Sequence, residues 1–212
     1  MNTMKKIITV ITGLSLGCVG LVWLTGCDAS FDNSKQETQQ KEIRGVDLEY
    51  SSESPKACQV LEVMLDENPN NDQTTIDSFL TQQGGTVQKQ KYSSISYEAA
   101  FKDGSVIKYS MISGKVDTIE VDKNTLKQNI DVNYSTLNAE YPQYGEDKKI
   151  NRYSLVSIVN KFGNPYLYKL MYSSTKGWLP DSAIYIGKDA DFILNINFGT
   201  ETDVPINIWA KN

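Results

Sequence analysis

Histidine, the usual general base near neutral pH, does not occur anywhere in the 212 residues. Its absence excludes Ser-His-Asp and Cys-His catalysis as well as histidine-ligated zinc. The remaining candidates for chemistry are a serine followed three residues later by a lysine, a loop crowded with oxygen ligands, a glycine pair and the cysteines. Each of these requires a particular local structure, which the surrounding residues favour or oppose.

Ser105 and Lys108 resemble the serine-lysine motif of penicillin-binding proteins in their spacing. In that family the motif begins a helix, which brings the two side chains together. Here the pair follows an Asp103-Gly104 turn and enters an apolar run that predicts a strand. Residues three apart on a strand point to opposite faces, so we predict no catalysis at this pair.

Oxygen ligands crowd into one short segment, which contains Asp66, Glu67, Asn68, Asn70, Asn71 and Asp72. A calcium loop of the EF-hand type needs glycine at its sixth position and glutamate at its twelfth, where this chain has Asn71 and Asp77. A solvated loop is therefore predicted.

Gly84-Gly85 follows a predicted helix, which favours capping over phosphate binding. We predict no catalytic residue, metal or cofactor.

The first residues of the chain follow the layout of a secretory signal. Lys5 and Lys6 precede an apolar stretch of 18 residues from Ile7 to Leu24, which ends in Leu24-Thr25-Gly26-Cys27. These four residues resemble the lipobox of bacterial lipoproteins. The resemblance implies cleavage after residue 26, followed by attachment of diacylglycerol and an N-acyl chain to Cys27. An uncleaved anchor helix is the alternative, because roughly 20 apolar residues can span a bilayer.

Two residues near Cys27 refine this interpretation. Cys18 is a poorer cleavage site, because Ser15 stands where a lipobox has leucine. Asp28 follows Cys27, and it resembles the signal that retains enterobacterial lipoproteins in the inner membrane. The resemblance implies a lipid-anchored protein of the cell membrane, on the periplasmic side of the inner membrane if the host is Gram-negative. The type of host stays open.

Charge and cysteine content restrict the partners and the fold. Without Lys5 and Lys6 the chain has 19 basic and 26 acidic residues, a formal net charge of −7. Nucleic-acid binding relies on clustered lysine and arginine, so we predict no nucleic-acid partner. Once Cys27 is lipidated, Cys58 is the single thiol left, which excludes an intramolecular disulfide. Cys58 is interpreted as a small buried hydrophobe, with a reactive thiol as the alternative.

The sequence predicts an α+β fold in which short helices pack on antiparallel sheet. Residues 1–26 are the signal peptide, 27–45 the lipidated cysteine with a flexible polar tether, 46–124 a first helix-plus-meander unit, and 125–212 a second unit of helix plus strands. Apolar spacing predicts helices at 55–68, 75–83 and 155–162. Strands are predicted at 86–95, 97–102, 106–112, 116–121, 166–173, 182–186, 192–198 and 206–209, with a polar connection at 122–149.

One helix of each unit aligns with the other at an offset of 79 residues. The matched pairs are Thr75 with Ser154, Ile76 with Leu155, Ser78 with Ser157, Phe79 with Ile158, Leu80 with Val159, and Gly84 with Gly163. A duplicated unit explains this offset, but chance and common capping chemistry explain it equally well. The helix-then-meander layout, with its Gly163-Asn164-Pro165 ending, is similar to that of outer-membrane assembly lipoproteins and β-lactamase inhibitor proteins. The resemblance implies a binding module without catalytic residues.

Aromatic residues concentrate in or beside the second unit: Tyr134, Tyr141, Tyr144, Tyr166, Tyr168, Tyr172 and Trp178. Such residues suit a protein or glycan interface, and they suit the core of a sheet equally. The predicted function is noncatalytic binding of a protein partner in the envelope, with assembly, stress signalling and exclusion as unresolved roles. One alternative is a carboxylate-dependent cell-wall hydrolase, which needs a deep cleft that holds two acids with raised pKa. Another is a carrier, which needs an apolar cavity.

Overall fold

The computed structural model describes residues 53–199 and 203–210 with their side chains, and residues 42–43 and 46–47 as backbone. The predicted signal peptide, Cys27, Asp28 and most of the predicted tether lie outside the described residues. Glu42–Ile43 (β1) pairs antiparallel with Val46–Asp47 (β2). Strand pairing therefore begins at Glu42, inside the range 27–45 that was predicted to be a flexible tether.

Two helices begin the fully described part of the chain. The first, α1, spans Lys56–Glu67 and buries one side chain per turn or more, as helical spacing requires. It ends at Asn68, whose left-handed backbone lets its N–H donate to the carbonyl of Met64. The second, α2, spans Gln73–Gln82 and is followed by Gly84, which has a φ of +90°. Both helices agree with their predicted positions to within about two residues.

Nine strands form one antiparallel sheet. They are β3 (Thr86–Lys89), β4 (Ser96–Ala100), β5 (Val106–Ile112), β6 (Lys115–Val121), β7 (Arg152–Ser154), β8 (Tyr166–Ser173), β9 (Gly177–Ile186), β10 (Phe192–Asn197) and β11 (Asp203–Ala210). Their spatial order is β3-β4-β5-β6-β8-β9-β10-β11-β7. The α+β class with antiparallel sheet is thereby confirmed. The two predicted meanders join through β6 and β8, where Ile119 lies opposite Leu170.

Two further helices lie between β6 and β8. The helix α3 spans Tyr134–Glu140, within the segment predicted as a polar connection, and begins where the Asn133 side chain accepts a bond from the N–H of Thr136. The helix α4 spans Leu155–Phe162, as predicted, and Ser154 caps it through the N–H of Ser157. Short 3₁₀ turns at Lys123–Thr125 and Lys188–Ala190 complete the described connections.

Two clusters of buried side chains lie on opposite faces of β9 and β10. In β9, Ile184 and Ile186 share a cluster with buried residues of α1 and α2, whereas Tyr185 shares one with α3 and α4. In β10, Ile193 and Leu194 divide in the same way. Successive side chains of a strand point to opposite faces, so the two helix pairs lie on opposite sides of these strands. We call β9 and β10 the doubly covered region and β3–β6 the half-covered region.

Candidate functional site

One face of the half-covered region keeps its side chains partly or fully exposed. Tyr109 on β5 marks the other face, because its hydroxyl donates to Asp77 of α2. Lys108 and Ser110, the neighbours of Tyr109 on β5, therefore point away from α2. We call this surface the open face. Strand register places two rows on it: Gln88, Glu98, Lys108, Glu120 and Lys169 in one, and Ser96, Ser110, Thr118 and Met171 in the other.

Charges of opposite sign alternate along the first row. Glu98 lies opposite Lys108, which lies opposite Glu120, which in turn lies opposite Lys169 on β8. Opposite charges at such cross-strand positions stabilise a sheet modestly. Each lysine also has an acid at its side: Lys108 Nζ is 2.6 Å from Asp122 Oδ2, and Lys169 Nζ is 3.6 Å from Asp181 Oδ2.

The open face carries a net charge of about −2, because four carboxylates accompany its two lysines. Partial burial raises the pKa of Asp122, but the hydrogen bonds from Lys108 and Asn124 and the charge of Lys108 together outweigh it and hold the pKa below its ordinary value. Burial, with the nearby Glu120 carboxylate, raises the pKa of Tyr168 to about 12, so its hydroxyl stays protonated and donates to Glu120. These two groups keep their charge states near neutral pH.

The second row is uncharged and offers a different chemistry. The hydroxyl oxygens of Ser96 and Ser110 lie 3.1 Å apart, and Thr118 continues the row to Met171 on β8. Met171 is one of the exposed large hydrophobic residues. A partner lying on this face would contact charged side chains along the first row. Along the second row it would contact hydroxyl groups and, at the end of the row, the flexible apolar side chain of Met171.

Ser105 and Lys108 do not contact each other, as the strand prediction required. The Ser105 hydroxyl is buried, donates to Asp103 Oδ1 at 2.7 Å and accepts from the N–H of Ala57 at 3.0 Å. Asp103 Oδ2 accepts from the N–H of Lys56 at 2.7 Å. The turn between β4 and β5 therefore caps α1, and Lys108 belongs to the open face.

A cavity of about 390 Å³ lies beside the N-terminus of α1. It is lined by Glu53, Ser54, Pro55, Lys56, Gln59, Asp103, Ser105, Thr125, Lys127 and Tyr166. This mostly polar lining does not suit an apolar ligand. Partial burial raises the pKa of Asp103, but hydrogen bonds from Lys56 and Ser105 outweigh it and lower the pKa, whereas a general acid needs a raised one.

The remaining candidate residues have structural contacts. Asn68 Oδ1 accepts from the N–H of Trp178 at 3.0 Å, and the buried Asn71 amide donates to the Val116 carbonyl at 3.2 Å. Within the described ranges, no group of three or more acids and cysteines is arranged to hold a metal. The N–H of Gly85 donates to the Leu80 carbonyl at 2.9 Å, so the glycine pair ends α2 as predicted.

Cys58 and the aromatic residues mostly belong to the core. Cys58 is fully buried, and burial raises the pKa of its thiol well above the ordinary value, in agreement with its interpretation as a hydrophobe. Trp178 is fully buried and donates to the Pro69 carbonyl at 2.8 Å. Tyr144 is 56% exposed. The other five aromatic residues singled out from the sequence are partly buried: Tyr134, Tyr141, Tyr166, Tyr168 and Tyr172.

Comparisons with known proteins give no indication of the function. No protein-family model matches the chain, and no curated protein matches it. Among the helices that the structure describes, none is both long enough and apolar enough to cross a membrane. The sequence prediction missed the open face itself, although Glu98, Lys108 and Glu120 fall in three successive predicted strands.

Proposed function

We propose that the chain is a membrane-anchored envelope lipoprotein whose folded part binds a protein partner through the open face, without catalysis. The observation that carries this proposal is the row of alternating charges from Glu98 to Lys169. In the same sheet, residues 182–186 of β9 and 192–196 of β10 are buried on both faces and present no such surface. A flat polar surface with one exposed methionine suits a protein better than a small molecule, which needs a concave site.

The charge of the open face indicates the charge of the partner that would bind it. With a net charge of about −2, it favours a partner that presents lysine or arginine. The strands β4, β5, β6 and β8 together span about 15 Å across, since neighbouring strands lie about 4.8 Å apart. A partner strand pair or helix of ordinary width covers this distance. The apolar contribution to binding would come from Met171.

The anchor is the lipid that the lipobox resemblance places on Cys27. Removal of residues 1–26, the polar tether from Asp28 onward and the retention signal at Asp28 belong to the same proposal. Two or three acyl chains hold a protein on a membrane stably, because each buried methylene adds about 0.8 kcal/mol. The protein then acts at the cell membrane, and on the periplasmic side of the inner membrane in a Gram-negative host.

The finer organisation that we propose is two related units, 46–124 and 125–212, each with short helices packed on its part of the sheet. Each unit contains two helices followed by a four-stranded meander, with β7 between the two helices of the second unit. Two aligned pairs also support it, because Ile76 and Leu155 are both buried, as are Phe79 and Ile158. The helix pairs lie on opposite faces of the sheet, so a shift along the sheet alone does not superpose the units.

The anchor is tested by expressing the full chain and its Cys27→Ala variant, each with and without a specific inhibitor of the lipoprotein signal peptidase. Membrane fractionation and mass spectrometry then follow the product. We expect a shortened, lipidated form that disappears with the substitution or the inhibitor. A full-length, unlipidated chain that remains in the membrane would refute lipid anchoring and support an uncleaved helix.

The open face is tested by photo-crosslinking in living cells. A photoreactive residue replaces Thr118 on the open face or, as a matched control, the exposed Ser78 on α2. We expect one discrete crosslinked product from position 118 and none from position 78. The product should disappear in Glu98→Lys/Glu120→Lys but persist in Glu67→Lys/Glu146→Lys, which changes the net charge equally elsewhere. Equal products from both positions would refute the proposed site.

A further inference from the structure

Three exposed apolar side chains lie together at one end of the half-covered region. Tyr92 is 92% exposed and Ile95 is 50% exposed, both in the connection between β3 and β4, and Ile112 at the end of β5 is 62% exposed. The two segments adjoin, because the N–H of Met111 donates to the carbonyl of Ile95 at 2.9 Å. We call Tyr92, Ile95 and Ile112 the apolar tip.

The charge around the apolar tip is opposite to that of the whole chain. Lys89 and Lys91 precede Tyr92 and are exposed, and no acid occurs in the sequence between Asp77 and Glu98. Lys91 Nζ lies 5.4 Å from the centre of the Tyr92 ring. In the adjoining hairpin Lys115 pairs with Asp72, and the exposed Asp117 lies two residues further on. The local excess of lysine therefore belongs to the segment that carries Tyr92.

This combination matches the chemistry of a lipid surface. A ring with a polar end settles at the headgroup level of a bilayer, and isoleucine enters the boundary of the acyl chains. Lysines beside such residues gain energy from anionic headgroups. A side chain as exposed as Tyr92 projects from the surface, so it suits a yielding lipid layer better than the flat surface of a folded protein.

We infer that the apolar tip inserts into the headgroup layer of the membrane that carries the protein. The inference rests on the proposed membrane anchor. It fixes the orientation of the folded part: β4 and β5 run away from the lipid, and the open face stands upright where a partner can reach it. The edge strand β7 lies eight strand spacings from the other edge strand, β3, which is roughly 38 Å across the sheet.

The test measures how deeply a probe at the apolar tip enters lipid. The processed, lipidated protein, extracted from membranes and carrying Tyr92→Trp or, as a matched control, Tyr144→Trp, is reconstituted into vesicles of phosphatidylethanolamine and phosphatidylglycerol that contain nitroxide-labelled lipid. Tyr144 is less exposed than Tyr92, at 56%, but is still accessible, and its neighbour Gln143 donates to Asn207 of β11, near the end of the sheet opposite β3. Emission of the unsubstituted protein, which keeps Trp178 and Trp209 after cleavage, is subtracted.

We expect the emission of Trp at position 92 to shift to the blue and to be quenched by the labelled lipid, with neither effect at position 144. Lys89→Glu/Lys91→Glu should reduce the quenching at position 92. Equal quenching at both positions, in chains that float with the vesicles, would overturn the inference and leave the anchor intact. Chains that do not float would overturn the anchor and the inference together. An unchanged thermal midpoint verifies that each variant is folded.

Discussion

The half-covered and doubly covered regions belong to one sheet but have different sequence patterns. In β6, buried and accessible residues largely alternate, as in a strand with one face in water. In β9 and β10, consecutive residues are buried from Ser182 to Ile186 and from Phe192 to Ile196. Covering both faces of a strand adds core but removes surface. Among the described strands of these two regions, an exposed face is therefore present on the half-covered region and absent from the doubly covered stretches of β9 and β10.

The largest expected change in the free energy of unfolding distinguishes the doubly covered region from the open face. Ile184→Ala and Leu194→Ala remove side chains from opposite faces of the doubly covered region, and each should lower the free energy of unfolding by about 2–5 kcal/mol. Thr118→Ala on the open face should change it by no more than about 0.5 kcal/mol. Urea denaturation measures all three. If either core variant were as mild as Thr118→Ala, the face it represents would not be packed as described.

The next largest loss of stability is expected where a side chain replaces a tightly packed glycine. Gly187 joins the doubly covered strands, and an added Cβ would lie 2.0 Å from Cε1 of Phe192. Gly187→Ala should therefore cost about 1–3 kcal/mol through overpacking. In the half-covered region Gly114 has a φ of +79° with open space around it, so Gly114→Asn should be nearly neutral because asparagine tolerates this conformation. Similar thermal midpoints for the two variants would contradict the difference in packing.

A smaller effect tests how α1 is attached to the half-covered region. Asp103→Asn weakens the cap of α1 and should cost about 0.5–2 kcal/mol at pH 7. Because the pKa of Asp103 is lowered in the folded state, its contribution is present above the unfolded pKa, near 3.9, and is lost as the pH falls through the folded value. The difference between wild type and variant should shrink below about pH 4. A constant difference from pH 7 to pH 3 would mean that the Asp103 charge contributes nothing.

The smallest expected effect concerns the charged row of the open face. Lys108→Ala removes the ion pair with Asp122 and should cost no more than about 1 kcal/mol, and less at high salt. Chemical denaturation at two salt concentrations measures this. A cost as large as that of Ile184→Ala would mean that the open face serves stability, and would weaken its assignment as a binding surface.

Local patterns of the sequence predicted most elements, for physical reasons that the structure makes clear. The helix α4 and the strand β8 were located correctly, because apolar spacing and glycine or proline endings are local signals. The strand β9 begins at Gly177, five residues before its predicted start. The prediction missed these residues because Pro180 and Asp181 interrupt the apolar run of the strand. The helix α3 was missed because it buries a single side chain, Leu137, although its Asn133 cap is a recognisable signal.

Long-range arrangement could not be predicted in the same way. A mostly apolar strand such as β10, in which Asn195 interrupts the apolar residues, is typical of a strand covered on both faces, but its sequence does not tell which helices cover it. The open face depends on strand register, since Glu120 and Lys169 become neighbours only through pairing between strands that are distant in sequence. Alternating charge in successive strands was visible in the sequence, but its alignment across the sheet was not.

The two edges of the sheet bear on how densely such a protein can be packed in a membrane. Anchoring confines molecules to two dimensions, where unpaired strand edges meet often and can join into polymers. Here the outermost strands are short, four residues in β3 and three in β7, and each carries a cation, Lys89 and Arg152, while residues 206–210 of β11 extend beyond the pairing with β7. Short, charged edges resist strand addition, which would help molecules held by the proposed lipid anchor to remain separate on one membrane.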